Sequence, residues 1–250
     1  MNVDPNAFRL GDPRAGLAPA VLCLHGLTGT PYEVRPPAEA LAEAGFYCEG
    51  PLLPGHGTTP KALARVSYTD WVSAVVAAHD ALAQRHERVY AVGLSLGGLL
   101  AFALAERRTL RGLVALAVPL DLGWVVHRGV PWLHHIVRQL PKTPAILDVE
   151  ARRRHPGYDR MPLAAVNQLL RLAGEVRAGL SRVEAPVALI FSRLDPTVPV
   201  RNAELLLRSL PPGDRELHWL ERSGHVLPVD FEQAVVAQRV VEFLARLEKR

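Results

Sequence analysis

Residues Arg88–Arg107, which read RVYAVGLSLGGLLAFALAER, decide the fold of this chain. The apolar stretch Arg88–Leu94 predicts a strand, and the Ala- and Leu-rich stretch Leu96–Arg107 predicts a helix. Between them stands Gly93-Leu94-Ser95-Leu96-Gly97, a G-x-S-x-G pattern at a strand-to-helix turn. Such a turn is so sharp that glycines flank the serine, and it pushes the hydroxyl out over the edge of a sheet. The pattern therefore predicts Ser95 as a nucleophile.

Strands and helices alternate on both sides of this stretch. We predict strands at Pro19–Leu24, Phe46–Glu49, Gly112–Val118, Pro186–Phe191 and Glu216–Leu220, and helices at Tyr32–Ala44, from an N-cap at Thr69 to His86, at Asn202–Leu210 and at Phe231–Leu247. The strands are almost continuously apolar, which is typical of strands buried on both faces. We therefore expect the α/β class, with a mostly parallel sheet flanked by helices.

The segment Asp121–Arg182 interrupts this alternation. It contains five prolines, and we predict helices near Trp132–Leu140 and over Leu163–Leu180. We interpret residues 1–250 as a single domain with a small cap insertion at approximately 121–182. Such an insertion can cover the carboxyl edge of the sheet, where open α/β sheets bind their ligands. The apolar residues from Trp124 to Val137 fit either the wall of an acyl pocket or packing within the insertion.

The charges do not indicate a nucleic-acid partner. The chain has 29 basic and 25 acidic residues, a net charge of +4, and they are scattered rather than gathered in a stripe. The cluster Arg152-Arg153-Arg154-His155 fits a solvated turn better than a site for an anionic head group. We expect a small molecule as the partner.

Cysteine usage and the N-terminus favour a cytoplasmic location. Cys23 and Cys48, the two cysteines, stand in apolar, strand-like runs and match no metal spacing, so we predict two core thiols. The N-terminal residues MNVDPNAFRL lack the basic-then-apolar order of a signal peptide. No apolar stretch approaches the roughly 20 residues of a spanning helix, so we expect no integral membrane segment.

An acid and a base follow Ser95 in the order that serine catalysis requires. A serine hydroxyl is a weak nucleophile, and it needs a histidine base that an acid orients. Asp195 follows the strand candidate ending at Phe191, and His225 follows the one ending at Leu220. The simpler alternatives are that Asp195 only forms a turn and that His225 is only a polar residue before a helix. Their order after Ser95 favours the triad Ser95, Asp195 and His225.

The other nine histidines do not have this position. His25 and His56 precede the nucleophile in glycine-containing turns, and we predict that His79 and His86 lie on the surface of a helix. His127 with His134 and His135 lacks the H-E-x-x-H arrangement, and no glycine loop ends in the G-K-[ST] of a phosphate cradle. We therefore expect no metal and no cofactor.

Two backbone N–H groups are predicted to stabilise an oxyanion. One belongs to Leu96, the residue after the nucleophile, and the second to the loop after the early strand, His25–Gly29. Leu27 is the candidate there, because the glycines on either side of it allow a close approach of the backbone to a substrate.

Five motifs together resemble the bacterial carboxylesterase and monoacylglycerol lipase group of α/β-hydrolases, from about Pro19 to Leu247. They are His25–Gly29, Pro54–Gly57, Thr69–Trp71, Gly93–Gly98 and Ser223–His225, with Asp195 between the last two. The resemblance implies a serine carboxylic ester hydrolase whose substrate is a small ester such as a monoacylglycerol, with an acyl tunnel under a cap. It assigns the triad to Ser95, Asp195 and His225, and the oxyanion hole to Leu27 and Leu96.

Other functions fit the same residues. The group often has an aromatic residue where this chain has Leu27, and Gly123–Arg154 matches no part of the group. An acyltransferase, a thioesterase or a C–C hydrolase uses the same triad. A non-catalytic ligand-binding protein on a hydrolase fold is the alternative from another class.

Overall fold

A seven-stranded sheet carries Ser95, and six of its strands run parallel. The computed structural model describes residues 5–12, 18–143 and 145–249. Residues 1–4, on which the prediction about a signal peptide partly rests, and Pro144 of the insertion lie outside the described residues.

The described strands and helices follow the predicted alternation. In chain order they are β1 (Phe8–Leu10), β2 (Ala20–Leu24), α1 (Arg35–Glu43), β3 (Tyr47–Gly50), α2 (Pro60–Leu63), α3 (Tyr68–Ala83), β4 (Val89–Leu94), α4 (Leu96–Ala105), β5 (Leu113–Leu116), α5 (Trp124–Leu133), β6 (Gln139–Pro141), α6 (Val149–Arg154), β7 (Arg160–Pro162), α7 (Leu163–Gly179), β8 (Val187–Ser192), α8 (Arg201–Ser209), β9 (Arg215–Leu220) and α9 (Gln233–Glu248).

The strand order β1-β3-β2-β4-β5-β8-β9 places the carboxyl ends of the six parallel strands along one edge. Only the short edge strand β1 is antiparallel to its neighbour, β3. β4 lies between β2 and β5, and Gly93 pairs with Leu24 on one side and with Ala115 on the other. The residues that follow β2, β4, β8 and β9 therefore meet at the same edge. This is the edge at which open α/β sheets bind ligands.

Helices cover both faces of the sheet, as predicted. Trp71 of α3, Phe102 of α4 and Leu172 of α7 belong to the core on one face. On the other face Leu41 of α1 and Phe243 of α9 pack with the strands. The sheet is thus buried on both sides, which explains why its central strands are continuously apolar.

The two cysteines are fully buried free thiols on neighbouring strands, Cys23 on β2 and Cys48 on β3. They lie in the core that α1 and α9 cover. The prediction of two core thiols is therefore confirmed.

Two helix predictions are wrong in their details. Ser67, not Thr69, caps α3: the Ser67 Oγ accepts the N–H of Asp70, and the Asp70 carboxylate accepts the N–H of Ser67. Tyr32–Ala44 is not one helix, because a 3-10 turn at Pro31–Val34 precedes α1. Pro36 and Pro37 stand in the first turn of α1. A backbone N–H in that turn has no acceptor within the helix, so proline costs no hydrogen bond there.

The insertion differs most from its prediction. The helix expected near Trp132–Leu140 is α5, which begins eight residues earlier at Trp124 and ends at Leu133. Gln139–Pro141 is instead β6, an extended segment that pairs with β7. A proline disfavours helical geometry in the residue before it, so Pro141 makes Leu140 extended. In the parts of the chain that the structure describes, no helix combines the length and apolar character needed to cross a membrane.

Ser67→Ala should destabilise the protein by about 1 kcal/mol, because the side-chain acceptor at the N-cap is lost. Urea unfolding monitored by circular dichroism measures this change. Thr69→Ala is the matched control and should cost clearly less, since Thr69 lies inside the first turn. Equal losses for the two variants would contradict the assignment of the cap.

Candidate active site

Ser95 occupies a strained turn between β4 and α4. Its backbone has φ 54° and ψ −111°, and its N–H donates to the carbonyl of Leu116 at 2.8 Å. A positive φ is uncommon for a residue with a Cβ, and the strain costs on the order of 1–3 kcal/mol. A Cβ at Gly97 would lie 2.1 Å from the Leu24 carbonyl oxygen, and one at Gly93 would lie 2.2 Å from the Gly97 carbonyl oxygen. Both flanking glycines are therefore required by close backbone contacts.

The structure brings Ser95, His225 and Asp195 into one chain of hydrogen-bond contacts. His225 Nε2 is 3.0 Å from Ser95 Oγ, and His225 Nδ1 is 2.8 Å from Asp195 Oδ2. The Asp195 side chain is fully buried, and that of His225 is 10% exposed. With Nδ1–H donating to the carboxylate, Nε2 is free to accept the serine proton. This is the geometry that a general base for a serine hydroxyl needs.

Asp195 is held as a carboxylate despite its burial. Burial opposes its ionisation, but the charge and hydrogen bond of His225, together with two backbone hydrogen bonds, outweigh burial and lower the pKa of Asp195 below its ordinary value. Its second oxygen accepts the backbone N–H groups of Thr197 at 2.7 Å and Val198 at 2.9 Å. The turn after β8 therefore fixes the carboxylate in the ionised form that orients an imidazole.

A buried aspartate that the sequence analysis did not identify supports the His225 turn. The Asp230 carboxylate accepts the N–H of Gly224 at 2.7 Å, and also the N–H groups of Leu147 and Asp148. The N–H of His225 itself donates to the carbonyl of Ala145 at 2.7 Å. The turn that carries the imidazole is thus bonded to residues 145–148 of the insertion.

A serine pair joins the turn of the acid to the turn of the base. Ser192 Oγ, at the end of β8, donates to the carbonyl of Ser223 and accepts the N–H of Leu194. Glu232 accepts the N–H and the hydroxyl of Ser223, both at 2.9 Å. These contacts connect the turn that follows β8 to the turn that carries His225.

The two predicted oxyanion donors lie beside Ser95. Leu96 is the first residue of α4, and N–H groups in the first turn of a helix have no intrahelical partner. Leu27 lines the same cavity as Ser95, in a turn where Thr28 has a φ of 65° and the Gly29 N–H donates to Gly26. Their role in binding an oxyanion stays a prediction.

A second residue that the sequence analysis did not identify, Glu33, fixes the loop that contains Leu27. Its buried carboxylate accepts the Gly26 N–H at 2.8 Å and contacts His155 Nε2 at 2.8 Å. Burial opposes ionisation, but His155, Lys142 and His25 lower the pKa of Glu33 to about 2. The prediction of a solvated turn at Arg152–His155 is therefore wrong, because Arg152–Arg154 end the helix α6 and the side chain of His155 is buried against Glu33.

Ser95 and His225 line a cavity of about 280 Å³ at the edge of the sheet. Most of its wall is apolar, and much of the wall comes from the insertion: Leu122, Leu140, Pro141, Ala145, Met161, Val166 and Leu169. Glu33, Lys142, Thr143 and Thr197 add polar groups. The cavity is near the lower limit of typical ligand pockets, which are apolar with a few polar groups.

The competing histidines have other surroundings. His79 and His86 are buried, so the prediction that they lie on the surface is wrong. The His86 ring bonds to the Ala18 carbonyl, and His25 Nε2 accepts the Leu53 N–H. Among the residues that the structure describes, no cluster of three or more His, Cys, Asp or Glu could hold a metal ion.

Comparison with known proteins gives consistent matches over nearly the whole chain. The sequence model of the alpha/beta hydrolase family matches residues 21–239. A thermostable monoacylglycerol lipase of Bacillus sp. (strain H-257) is 32% identical over 233 residues, which are 90% of either chain. A carboxylesterase of Bacillus subtilis (strain 168) is 29% identical over 248 residues, 98% of this chain and 97% of its own.

A solved structure from work on LipS and LipT, two metagenome-derived lipolytic enzymes, is similar to this one along its length. The TM-score is 0.89 at 29% identity, and the match covers 98% of each chain. The insertion is therefore included in the structural match.

Glu33→Gln should make the free energy of unfolding depend less on pH in the acid range. The folded-state pKa of about 2 lies below the ordinary 4.5, so the charge of Glu33 stabilises the fold above about pH 4.5. That contribution, at most about 3 kcal/mol, is lost as the pH falls towards 2. Urea unfolding between pH 6 and 3 on both proteins measures it.

Glu150→Gln is the control, because it changes an exposed carboxylate of the insertion. Its free energy of unfolding should depend on pH as that of the wild-type protein does. A Glu33→Gln variant with that same dependence would show that the buried carboxylate is not the cause.

Proposed function

Because this chain belongs to the alpha/beta hydrolase family, we propose that it hydrolyses carboxylic esters through an acyl-enzyme on Ser95. The observation that carries the proposal is the pair of contacts at His225, 3.0 Å to the serine oxygen and 2.8 Å to the buried Asp195. A relay of this geometry in a mostly apolar cavity has the parts that serine ester hydrolysis requires.

In the first half of the reaction Ser95 Oγ attacks the ester carbonyl while His225 Nε2 takes the serine proton. The carbonyl oxygen becomes an oxyanion, which the N–H groups of Leu27 and Leu96 stabilise. Asp195 orients the imidazole and stabilises its positive charge. The tetrahedral intermediate collapses, the C–O bond to the alcohol breaks, and His225 returns the proton to the leaving alkoxide.

In the second half water releases the acid. His225 takes a proton from water, which attacks the acyl carbonyl, and the same two N–H groups stabilise the second oxyanion. Collapse breaks the bond to Ser95 Oγ, which regains its proton from His225. Every proton and electron pair is accounted for by protein groups, substrate and water.

The substrate is a small ester that joins an apolar acid to a polar alcohol, as a monoacylglycerol does. Leu122, Met161 and Val166 offer an apolar wall for an acyl chain, while Lys142 and Thr143 offer polar groups. The similarity to the monoacylglycerol lipase of Bacillus sp. (strain H-257) supports this choice.

Residues 121–182 act as the cap of a single hydrolase domain. Seven apolar positions of this segment line the cavity, and the chain from Ala145 to Asp148 also bonds to the His225 turn. The cap thus excludes water from the acyl chain and at the same time supports the base.

A cytoplasmic location is part of the proposal. Cys23 and Cys48 are free thiols side by side in the core, and unpaired cysteines are typical of proteins kept in a reducing compartment.

Ser95→Ala should abolish hydrolysis of p-nitrophenyl esters and leave the fold intact, because the alanine removes only the attacking oxygen. Activity and a circular dichroism spectrum measure the two effects. A fluorophosphonate probe should label the unchanged protein on Ser95. Full activity of the alanine variant, or an unlabelled but folded wild type, would refute the mechanism.

Asp195→Asn should lower kcat by about 10³–10⁴-fold, because an amide can hold the wrong imidazole tautomer. Asp80→Asn serves as a comparison, because Asp80 is an acid on α3 that pairs with Arg108 and does not touch His225. Its loss should be much smaller, and equal losses would mean that Asp195 has no special role.

Val166→Phe should restrict the enzyme to esters with short acyl chains. Val166 lines the cavity, so a larger side chain there removes volume from it. Activity on p-nitrophenyl acetate should change little, while activity on longer acyl chains should fall steeply. A uniform loss across the series would place the acyl chain elsewhere.

A further inference from the structure

A second cavity adjoins the one that contains Ser95. It has a volume of about 260 Å³, and residues of the insertion form most of its wall. Four residues line both cavities, and they are Lys142, Thr143, Ala145 and Val226. We call the second cavity the side compartment. An ester bound at Ser95 therefore has access to two spaces, one for each of its two arms.

The two spaces differ in polarity. The cavity at Ser95 is mostly apolar. The side compartment also has polar side chains in its wall, those of Arg152, His155, Tyr158 and Asp159. An acyl chain is apolar and an alcohol portion is polar, so each arm of the ester matches one of the two spaces. The alcohol portion therefore fits the side compartment.

The Lys142 ammonium has no partner within the part of the chain that the structure describes. Its side chain makes no hydrogen bond or ion pair there, and the Glu33 carboxylate acts on it only through space. That carboxylate already accepts the Gly26 N–H and contacts His155 Nε2. Burial lowers the pKa of Lys142, because water is partly excluded from the charged group. A desolvated ammonium of this kind gains from an acceptor that a ligand supplies.

The backbone fixes Lys142 at the junction of the two spaces. The Lys142 N–H donates to the Asp159 carbonyl at 3.0 Å, which continues the pairing of Pro141 with Arg160 between β6 and β7. A cation on an anchored backbone loses less conformational freedom when it binds a ligand. Lys142 is thus prepared to bind one arm of the substrate.

The charge in the wall of the side compartment favours an anion. Lys142 and Arg152 supply two positive charges, against the single carboxylate among its described lining residues, that of Asp159. Asp159 is exposed, so solvent screens its charge. His155, in the same wall, lies 2.8 Å from the Glu33 carboxylate and is engaged there.

We propose that the side compartment binds the alcohol portion of the ester and that Lys142 selects an alcohol portion with an anionic group, a phosphate or a carboxylate. The proposal rests on the proposed function and narrows its substrate class. The preferred ester carries an apolar acyl chain on a glycerol phosphate or on a hydroxy acid. An ammonium binds an anionic oxygen more strongly than a neutral hydroxyl, so the charge gives discrimination as well as affinity.

Three soluble esters with the same acyl chain test the selection by charge. They are hexanoylglycerol, hexanoylglycerol phosphate and O-hexanoylglycolate. The wild-type protein should hydrolyse the anionic esters with a kcat/KM about tenfold or more above that for hexanoylglycerol, because a hydrogen bond to a charged group contributes to binding. A gain confined to the phosphate ester assigns the site to phosphates, and a gain confined to the glycolate ester assigns it to carboxylates.

Lys142→Met removes the charge and keeps most of the side-chain length. It should raise KM for the preferred anionic ester by about tenfold or more and affect kcat much less, because Lys142 binds the alcohol portion and exchanges no proton in the reaction. KM for hexanoylglycerol should change much less. Lys142→Arg keeps the charge and should keep the preference. Lys61→Met is the matched control, since Lys61 is an exposed lysine of α2, and it should behave as the wild type does.

Binding to the Ser95→Ala variant tests the same site without turnover. In titration calorimetry, the preferred anionic ester should bind Ser95→Ala about tenfold or more tightly than it binds Ser95→Ala/Lys142→Met. Hexanoylglycerol should bind the two variants with affinities that differ much less. Circular dichroism checks that both variants are folded.

The outcomes separate failure of this site from failure of the proposed function. Equal kcat/KM for neutral and anionic esters, in an enzyme that is active on p-nitrophenyl hexanoate, overturns the selection by charge alone. Equal losses of Lys142→Met on all three esters assign Lys142 to a structural role and overturn it too. A folded wild type that cleaves no ester refutes the proposed function, and calorimetry with Ser95→Ala then still decides whether Lys142 binds the anion.

Discussion

The positive φ of Ser95 is the constraint on which the rest of this structure depends. In this turn the backbone of α4 lies very close to β2 and β4. A Cβ at Gly93 or at Gly97 would collide with a carbonyl oxygen, so both positions require glycine. The strain of about 1–3 kcal/mol is offset by the hydrogen bond to Leu116 and by an apolar helix that is buried along its whole length. The buried helix α4 and the hydrogen bond to β5 therefore fix the backbone of Ser95 and hold its hydroxyl at the edge of the sheet.

In the proposed mechanism a rigid nucleophile needs a base that is equally fixed, and the proposed base, His225, lies on a turn. Loops are usually the mobile part of a fold, yet hydrogen bonds connect the His225 turn to three other segments. These are Ser192 at the end of β8, Glu232 before α9 and, through Asp230, the insertion. The insertion and the turn that carries His225 are therefore joined by hydrogen bonds.

The sequence predicts the sheet, its flanking helices and the grouping of Ser95, Asp195 and His225 well, because each of these depends on local patterns. Apolar runs define the strands, and catalytic groups in this fold stand where strands end. Glu33 and Asp230 could not be found in this way. Each is an ordinary acid in the sequence, and its role arises from burial against partners more than 80 residues away, His155 for Glu33 and Leu147 for Asp230. The insertion was the least predictable part, since prolines set its short extended segments and its helix α5 buries little more than Val130.

That weak burial is itself informative about the insertion. A helix normally gains its stability from an apolar side packed against the core, and α5 instead presents its tryptophans to solvent. The sequence left two alternatives for these residues, an acyl pocket or internal packing. Most of them do neither, because Trp124, Val125, Trp132, Leu133 and Ile136 are exposed and none of them lines the cavity. The segment therefore keeps its two tryptophans, Trp124 and Trp132, at the protein surface. The proposed chemistry needs a nucleophile, a base and an acid, and all three stand at the ends of central strands. The insertion instead contributes much of the apolar cavity wall and the contacts that support the His225 turn.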